Sequence, residues 1–265
     1  SGLYRYMKKL TRTLLIIIFG TTIIFGAATS VSAIGEFAIG LNGGVTYDPN
    51  DLEDEINQYN LAMETYADTT AGASASQMTI PYAPVFGFNL RYQFNFFFFR
   101  LGCHFSNPVQ AVKGSVTSPG GITNTIKIKT FQSSFPATLG ILVPLNRRTH
   151  FYIGAGPTLH QVSTTITQSD PAGALQFNTY DPNLSSNKQD RYSSTFVGYH
   201  FIVGAEVPVH EKFTLSVEWI HQEGVSPAVE NEGINAADAE VTTPKRTLRV
   251  KGDFLMFGLN YYISF

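Results

Sequence analysis

The sequence is poor in charged residues and cysteine, and each shortage excludes a class of protein. Charged residues make up 14% of the 265 residues, whereas a soluble domain usually carries about 25%, so few groups are available to hydrate an ordinary soluble surface. The single cysteine, Cys103, excludes an internal disulfide framework and a zinc site built from several cysteines. Lys and Arg number 18 against 20 Asp and Glu, which argues against a nucleic-acid-binding protein.

The first 33 residues have the order of a secretory signal peptide. Basic residues lie just after Met7, an apolar stretch covers residues 14–28, and small residues end at Ala33. We therefore predict a cleaved signal peptide at residues 7–33 and a single domain at residues 34–265. The alternative is an uncleaved membrane anchor, for which the apolar stretch is short. Beyond Ala33 there is no apolar run long enough for a membrane-spanning helix.

Eight segments of the remaining chain alternate between apolar and small polar residues. The apolar positions are rich in rings, since the chain contains 21 Phe and 13 Tyr. This two-residue period is typical of strands with one apolar and one polar face. The segments are residues 36–47, 86–94, 97–104, 134–143, 151–160, 197–207, 213–222 and 255–265.

The connections between these segments alternate in length. Short turns are predicted at residues 95, 146–148 and 210–212, and long polar connections at residues 48–80, 107–125, 169–191 and 224–246. This alternation is typical of outer-membrane barrels. We predict an all-β fold, a transmembrane antiparallel up-and-down β-barrel of eight strands. Ten strands are an alternative if residues 109–131 add a hairpin, and a soluble sandwich with its ring-rich faces inside is a second alternative.

Three motifs in the middle of the chain carry a family resemblance. They are Phe-Phe-Phe-Arg-Leu-Gly at residues 97–102, Ser-Phe-Pro-Ala-Thr-Leu-Gly-Ile at residues 134–141 and Phe-Tyr-Ile-Gly-Ala-Gly-Pro at residues 151–157. This pattern resembles small bacterial outer-membrane β-barrels, above all the spirochaetal, leptospiral-type porin and surface-antigen barrels. The resemblance implies location in the bacterial outer membrane, contact with its lipid and lipopolysaccharide, and a C-terminal strand ending at Phe265 that the barrel-assembly machinery recognises.

Five charged residues are predicted to point into the barrel. They are Glu36, Arg91, Arg100, Glu206 and Glu218. Because an unpaired charge in a narrow lumen is unfavourable, we expect them to pair in an internal network that holds the barrel shape. The alternative is a narrow charge-lined pathway for small solutes.

Neither a cofactor, a metal site nor a catalytic residue is predicted. Three histidines occupy inward-facing strand positions, His104, His160 and His200. Their spacing in the sequence is not typical of metal ligands, so it does not support a metal site. His104 and Ser106 resemble the His-x-Ser pair of lipid A deacylase barrels, yet no nearby carboxylate is available to orient the histidine.

The first long connection is predicted to contain a short amphipathic helix. Asp48 is the expected N-cap and Pro49 the first helical residue. An apolar stripe at helical spacing consists of Leu52, Ile56, Tyr59, Met63 and Tyr66. We expect it to pack over the barrel mouth, with lipid headgroups or a partner molecule as alternatives. Residues 175–187 show no period and are predicted to form an exposed, mobile loop.

These features predict a surface-exposed outer-membrane barrel of porin or surface-antigen type with a narrow or closed lumen. The alternative is an adhesin that binds host or matrix molecules through acidic extracellular loops, because the first long connection carries acids and no basic residue. A lipid A-modifying hydrolase is a distant third hypothesis. Nucleic acid is not an expected partner.

Overall fold

The computed structural model describes residues 35–80, 82–106, 111–145, 149–169, 188–232 and 245–264, together with residues 175, 177, 180, 181 and 184. The predicted signal peptide, the turn at residues 146–148 and Phe265 lie outside the described residues.

The described chain folds into ten β-strands and one α-helix. The helix, α1, covers Glu53–Thr69. The strands are β1 (Glu36–Thr46), β2 (Ser74–Ser76), β3 (Ala83–Phe94), β4 (Phe97–Ser106), β5 (Val112–Thr117), β6 (Thr123–Pro144), β7 (His150–Gln168), β8 (Gln189–Pro208), β9 (Phe213–Glu230) and β10 (Lys245–Ser264). Among the described residues, no helix is both long and apolar enough to cross a bilayer.

Eight of the strands close into an antiparallel ring. β1 pairs with β3 on one side and with β10 on the other, so the first and last described strands join the sheet into a cylinder. The order around the ring is β1, β3, β4, β6, β7, β8, β9 and β10. The prediction of an eight-stranded up-and-down barrel is confirmed.

The extra hairpin predicted within residues 109–131 forms without entering the ring. β5 pairs with the beginning of β6, where Val112 faces Ile128. β4 pairs with the later part of β6, ending at Ser106 opposite Gln132. β5 therefore extends the wall beyond the end of β4, and β2 adds to its outer edge. The ring keeps eight strands and does not reach ten.

The ring-rich faces of the strands point outward and the polar faces point inward. Leu41 is 67% exposed and Phe257 60% exposed, whereas Thr158 and Gln222 are fully buried. A soluble sandwich would show the opposite arrangement, because its large apolar side chains fill the interior. The sandwich alternative is therefore wrong.

The two ends of the barrel differ. β3–β4 and β8–β9 are joined by short turns at one end, which we call the short-turn end. The opposite, long-loop end carries α1 and the hairpin of β5. Strands β6 to β10 are 18 to 22 residues long, whereas about 9–11 residues span a bilayer. They consequently extend at the long-loop end beyond the strand segments that the alternation predicted.

Helix α1 begins four residues later than expected. Asp48 and Asp51 have left-handed backbone angles, with φ of 41° and 54°, which turn the chain before the helix starts at Glu53. Asp48 nevertheless accepts hydrogen bonds from the backbone N–H groups of Leu52 at 2.8 Å and Glu53 at 2.9 Å. The predicted cap residue thus stabilises the helix terminus from outside the helix.

Two separate apolar clusters lie inside the molecule. The lumen core lies within the ring and consists of Val85, Phe98, Leu142, Tyr152, Ile202, Ile220, Phe254 and Met256. The cap core lies at the long-loop end and consists of Ile56, Tyr59, Met63, Met78, Val112, Val116, Ile126, Ile128, Val162, Ile166, Leu175, Phe177, Leu184, Tyr192, Phe196, Leu248 and Val250. The lumen is therefore more apolar than the alternation of small polar residues indicated.

Candidate functional site

The lumen contains a buried ion pair near its short-turn end. Arg91 Nη2 lies 2.5 Å from Glu206 Oε2, and both side chains are almost fully buried. Glu206 Oε1 accepts hydrogen bonds from Tyr262 OH at 2.9 Å and Asn260 Nδ2 at 3.1 Å. His150 Nε2 lies 3.1 Å from Oε2, the oxygen that Arg91 contacts. These donors surround the carboxylate, which is the condition under which a buried charge is tolerated.

A second buried ion pair lies beside the first. Arg100 is directly opposite Arg91 in the pairing of β3 with β4. It binds Glu218 through two parallel contacts, Nη1 to Oε1 at 2.8 Å and Nη2 to Oε2 at 3.0 Å. Tyr152 OH donates to the same carboxylate at 2.6 Å. Two adjacent arginines are thus neutralised by glutamates from β8 and β9, on the other side of the lumen.

The structure places four of the five predicted lumen charges in these pairs. Glu36 lies at the short-turn end of β1 and accepts a hydrogen bond from Gln93 Nε2 at 3.0 Å. Tyr152 and Tyr262, which complete the two pairs, were not predicted to face the lumen. The alternation along each strand could have revealed them, because each lies between two outward-facing residues and therefore points into the barrel.

A polar layer follows toward the long-loop end. His104 lies four residues beyond Arg100 on β4, about 13 Å along the strand. Hydrogen bonds join His104 Nδ1 to Gln222 Nε2 at 3.3 Å, His160 Nδ1 to Ser134 Oγ at 2.9 Å and His200 Nε2 to Thr138 Oγ1 at 2.7 Å. Within the described part of the chain, no three His, Cys, Asp or Glu side chains are arranged to hold a metal ion.

His104 and Ser106 do not form a nucleophile–base pair in this structure. Both are buried on the lumen side, and His104 Nδ1 is bonded to Gln222. Ser106 Oγ has no hydrogen-bond partner among the described residues. Nucleophilic catalysis requires a base within hydrogen-bond reach of the hydroxyl, so this geometry provides no support for the deacylase hypothesis.

The stripe of α1 closes the long-loop end of the lumen. Ile56, Tyr59 and Met63 are buried in the cap core, and Leu52 and Tyr66 pack against it. The predicted packing of the stripe over the barrel mouth therefore matches the observed contacts. Leu175, Phe177 and Leu184 complete the same core, so the prediction of an exposed loop at residues 175–187 is wrong for these three side chains. Burial of their apolar side chains stabilises a segment that shows no sequence period.

An ion cluster fastens α1 to the barrel wall. We call it the cap ion cluster, and it consists of Glu55, Tyr59, Asp181 and Arg246. Arg246 Nη1 donates to Glu55 Oε1 at 3.0 Å, and its Nη2 donates to Asp181 Oδ2 at 2.6 Å. Tyr59 OH donates to the same Asp181 oxygen at 2.6 Å. Arg246 and Asp181 were not predicted as partners of α1, because both lie far from it along the chain.

Burial perturbs the carboxyl groups at this end. Desolvation raises the pKa of Glu55 above its ordinary value, and the charge of Arg246 opposes that rise only in part. Desolvation also raises the pKa of Asp48, although the hydrogen bonds from Leu52 and Glu53 favour its charged form. The folded cap therefore prefers the protonated form of both groups more than the unfolded chain does.

A cleft of about 410 Å³ lies between the start of α1 and the start of β10. Acidic side chains of Asp51, Asp54 and Glu55 line one side, and basic side chains of Arg246 and Arg249 line the other. Arg249 Nη1 lies 3.3 Å from Asp51 Oδ2, so part of this charge is neutralised within the cleft.

Comparison with known proteins gives one family match. A family model described as outer membrane protein beta-barrel domain matches residues 19–261. No curated protein matches the chain significantly.

Several solved structures are similar to this chain. Ail, the attachment invasion locus protein of Yersinia pestis, is 10% identical, with 86% of this chain and 99% of that chain covered and a TM-score of 0.43. The outer membrane protein OprG from Pseudomonas aeruginosa is 14% identical, with 88% and 98% covered and a TM-score of 0.46. The outer membrane protease OmpT from Escherichia coli is 10% identical, with 88% and 98% covered and a TM-score of 0.33.

Proposed function

The chain belongs to the outer membrane protein β-barrel domain family, and on this premise we propose that it is a surface-exposed barrel of porin or surface-antigen type with a closed lumen. Its location is the bacterial outer membrane. Barrels of this class have short periplasmic turns and longer extracellular loops, so the long-loop end faces the outside of the cell. The narrower resemblance to leptospiral-type barrels stays a prediction.

The burial of the inward side chains supports a closed lumen most directly. Water in an open channel would reach the side chains that line it. Arg91, Arg100, Glu206 and Glu218 are each at most 2% exposed. Gln222 in the polar layer and Met63 in the cap core are both fully buried. Side chains thus fill the cylinder at three heights, as is usual for eight-stranded barrels.

Conductance in planar bilayers tests this proposal. We expect the refolded wild-type protein to give no discrete current steps, while a general porin reconstituted in parallel gives them. Current steps from the wild type that change size in Arg100→Ala would contradict closure and favour a charge-lined pathway. Lys251→Ala is the matched control, because Lys251 is an exposed residue on the outer face of β10 and should leave any current unchanged.

A second candidate function is adhesion through the acidic outer face of α1. The exposed residues of this helix include Glu53, Asp54, Glu64 and Asp68, and α1 contains no Lys or Arg. A surface of one charge sign attracts partners of the opposite sign. A barrel that is silent in bilayers but binds immobilised basic matrix proteins through this face would support an adhesin.

A lipid A-modifying hydrolase is the least supported function. His104 and Ser106 lie on the lumen side of β4 and make no hydrogen bond with each other in the described structure. Their orientation also separates them from lipid, which contacts the outer face of the strands. We therefore assign no catalytic role to this pair.

A further inference from the structure

Three lysines form a cluster on the outer face of the wall near the long-loop end. Lys113 on β5 is directly opposite Lys127 on β6. Lys129 follows two residues along β6 on the same face, and all three side chains are exposed. Directly opposed residues have Cβ atoms about 5 Å apart, and residues i and i+2 on a strand are about 7 Å apart. Three ammonium groups can therefore converge on one small anionic group. We call these residues the lysine cluster.

The height of the lysine cluster follows from the apolar residues below it. The outward positions of β6 run from Val143 near the short-turn end to Phe131, and most of them are apolar and exposed. This interval is about 40 Å along the strand at 3.3 Å per residue, or about 30 Å along the membrane normal for a tilt of 35–45°. A bilayer hydrocarbon core is about 30 Å thick. Lys129 is the next outward residue beyond Phe131, so the lysine cluster lies at the level of the outer-leaflet headgroups.

Among the residues that the structure describes, the surroundings of the lysine cluster contain no compensating acid. The sequence has no Asp or Glu between Asp68 and Asp170, an interval that includes all of β2 to β7. On β7, the residues opposite Lys127 and Lys129 are Thr167 and Thr165. None of the three lysines has a carboxylate at ion-pair distance in the described part of the chain.

The opposition of Lys113 and Lys127 points to an anionic ligand. Like charges directly opposite each other destabilise a strand pair, and no carboxylate among the described residues lies at ion-pair distance to offset the repulsion. The flank formed by β8 to β10 differs, because its outward bases lie beside acids. Arg191 pairs with Glu232 and Lys245 with Glu230.

We infer that the lysine cluster binds the phosphate groups of an anionic outer-leaflet glycolipid of the lipid A type. The lipid is favoured over a soluble anion because the cluster continues directly into the apolar face at Phe131 and Phe105, both exposed. A glycolipid presents its phosphate to the lysines and its acyl chains to these rings at the same time. This inference rests on the outer-membrane location and is independent of whether the lumen conducts.

Binding of bisphosphorylated lipid A to the refolded barrel in detergent tests the inference. We expect the triple variant Lys113→Gln/Lys127→Gln/Lys129→Gln to bind at least tenfold more weakly than the wild type. The charge-matched control Lys188→Gln/Lys245→Gln/Lys251→Gln should stay within about twofold, because Lys245 and Lys251 lie on β10, on the acid-containing flank. The variant Lys113→Arg/Lys127→Arg/Lys129→Arg should keep its affinity. Heat-modifiable gel mobility of each variant verifies that the barrel has folded.

Binding of other ligands tests whether the lysine cluster recognises the phosphate of lipid A or a soluble anion. Dephosphorylated lipid A should bind more weakly than the bisphosphorylated form by a similar factor, and inorganic phosphate should neither bind measurably nor compete. Equal lipid A binding by the wild type and the glutamine variant would overturn the inference. Lysine-dependent binding of heparin without any binding of lipid A would also overturn it, and would assign the cluster to sulfated polysaccharides.

Discussion

At the scale of single residues, the loss of one charge from a lumen ion pair should destabilise the barrel more than the loss of both charges. Glu218 is held by Arg100, Tyr152 and Asn42. Removal of Arg100 alone leaves the buried carboxylate with two neutral donors and no countercharge. Removal of both charged groups leaves no uncompensated charge, so the second substitution should restore part of the stability lost in the first.

A double-mutant cycle on Arg100 and Glu218 measures this difference. We expect Arg100→Met to lower the free energy of unfolding by about 3–5 kcal/mol. Arg100→Met/Glu218→Met should lose less than the single variant. The measurement is urea unfolding in lipid vesicles, followed by tryptophan fluorescence of Trp219 on β9. Additive losses in the double variant would show that the two side chains do not act as a pair.

Glycine positions in the ring make room for large inward side chains. A side chain at Gly140 would overlap the ring of Phe98 and the backbone oxygen of Ile153, and one at Gly204 would overlap Tyr152. Phe98 and Tyr152 belong to the lumen core. These glycines therefore permit aromatic rings in a cylinder that is otherwise too narrow for them.

The substitution Gly140→Ala tests this packing. We expect a loss of about 1–3 kcal/mol in the free energy of unfolding, the usual effect of overpacking a well-filled interior. Gly43→Ala is the matched control, because its new Cβ would meet only Phe86, at 4.0 Å. Equal stability of the two variants would mean that Phe98 and the backbone at Ile153 can both move away at no cost.

At the scale of secondary-structure elements, α1 is held by both apolar and ionic contacts. Its apolar face contributes Ile56, Tyr59 and Met63 to the cap core, and Glu55 contacts Arg246 on β10. The cap ion cluster contains two carboxylates and one arginine. The closing helix is therefore sensitive to the protonation of Glu55.

The opening of α1 should depend on pH in a defined direction. Because the pKa of Glu55 is raised in the folded cap, its contribution to stability is fully present below the ordinary pKa and is lost as the pH rises through the raised value. The raised pKa of Asp48 acts in the same direction. Amide hydrogen exchange in α1, corrected for intrinsic rates, should show stronger protection at pH 5.5 than at pH 7.5.

Two variants identify the group responsible for this pH dependence. Glu55→Gln should reduce the difference in protection between the two pH values, whereas Glu64→Gln on the exposed face should preserve it. Stronger protection at the higher pH would instead show that the ion pair with Arg246 dominates over the desolvation of Glu55.

The sequence predicted those elements whose pattern is local. The outward and inward faces of β3 and β4 follow from alternation alone, and the stripe of α1 follows from helical spacing. The start of α1 was missed because left-handed angles at Asp48 and Asp51 decide it, and no periodicity reveals them. Arg246 and Asp181 were missed because their partners come from distant parts of the chain, which only the closed ring brings together.

At the scale of the whole molecule, the barrel has two flanks of different electrostatic character. The flank from β3 to β7 carries no acidic residue, whereas β8 to β10 contain both signs of charge. The two arginines that this first flank directs inward are neutralised by glutamates from the second flank. The lumen ion pairs thus connect opposite walls, and the outward lysines of the first flank remain available to the surrounding membrane.

The exposed side of α1 has a further consequence for how the protein can change over evolutionary time. Glu53, Asp54, Glu64 and Asp68 face water, while the opposite side of the same helix seals the barrel. Substitutions on the water-facing side leave both apolar clusters and the strand register intact. The acidic side of the helix can therefore change without loss of the fold, while packing constrains its buried side and the strands of the wall.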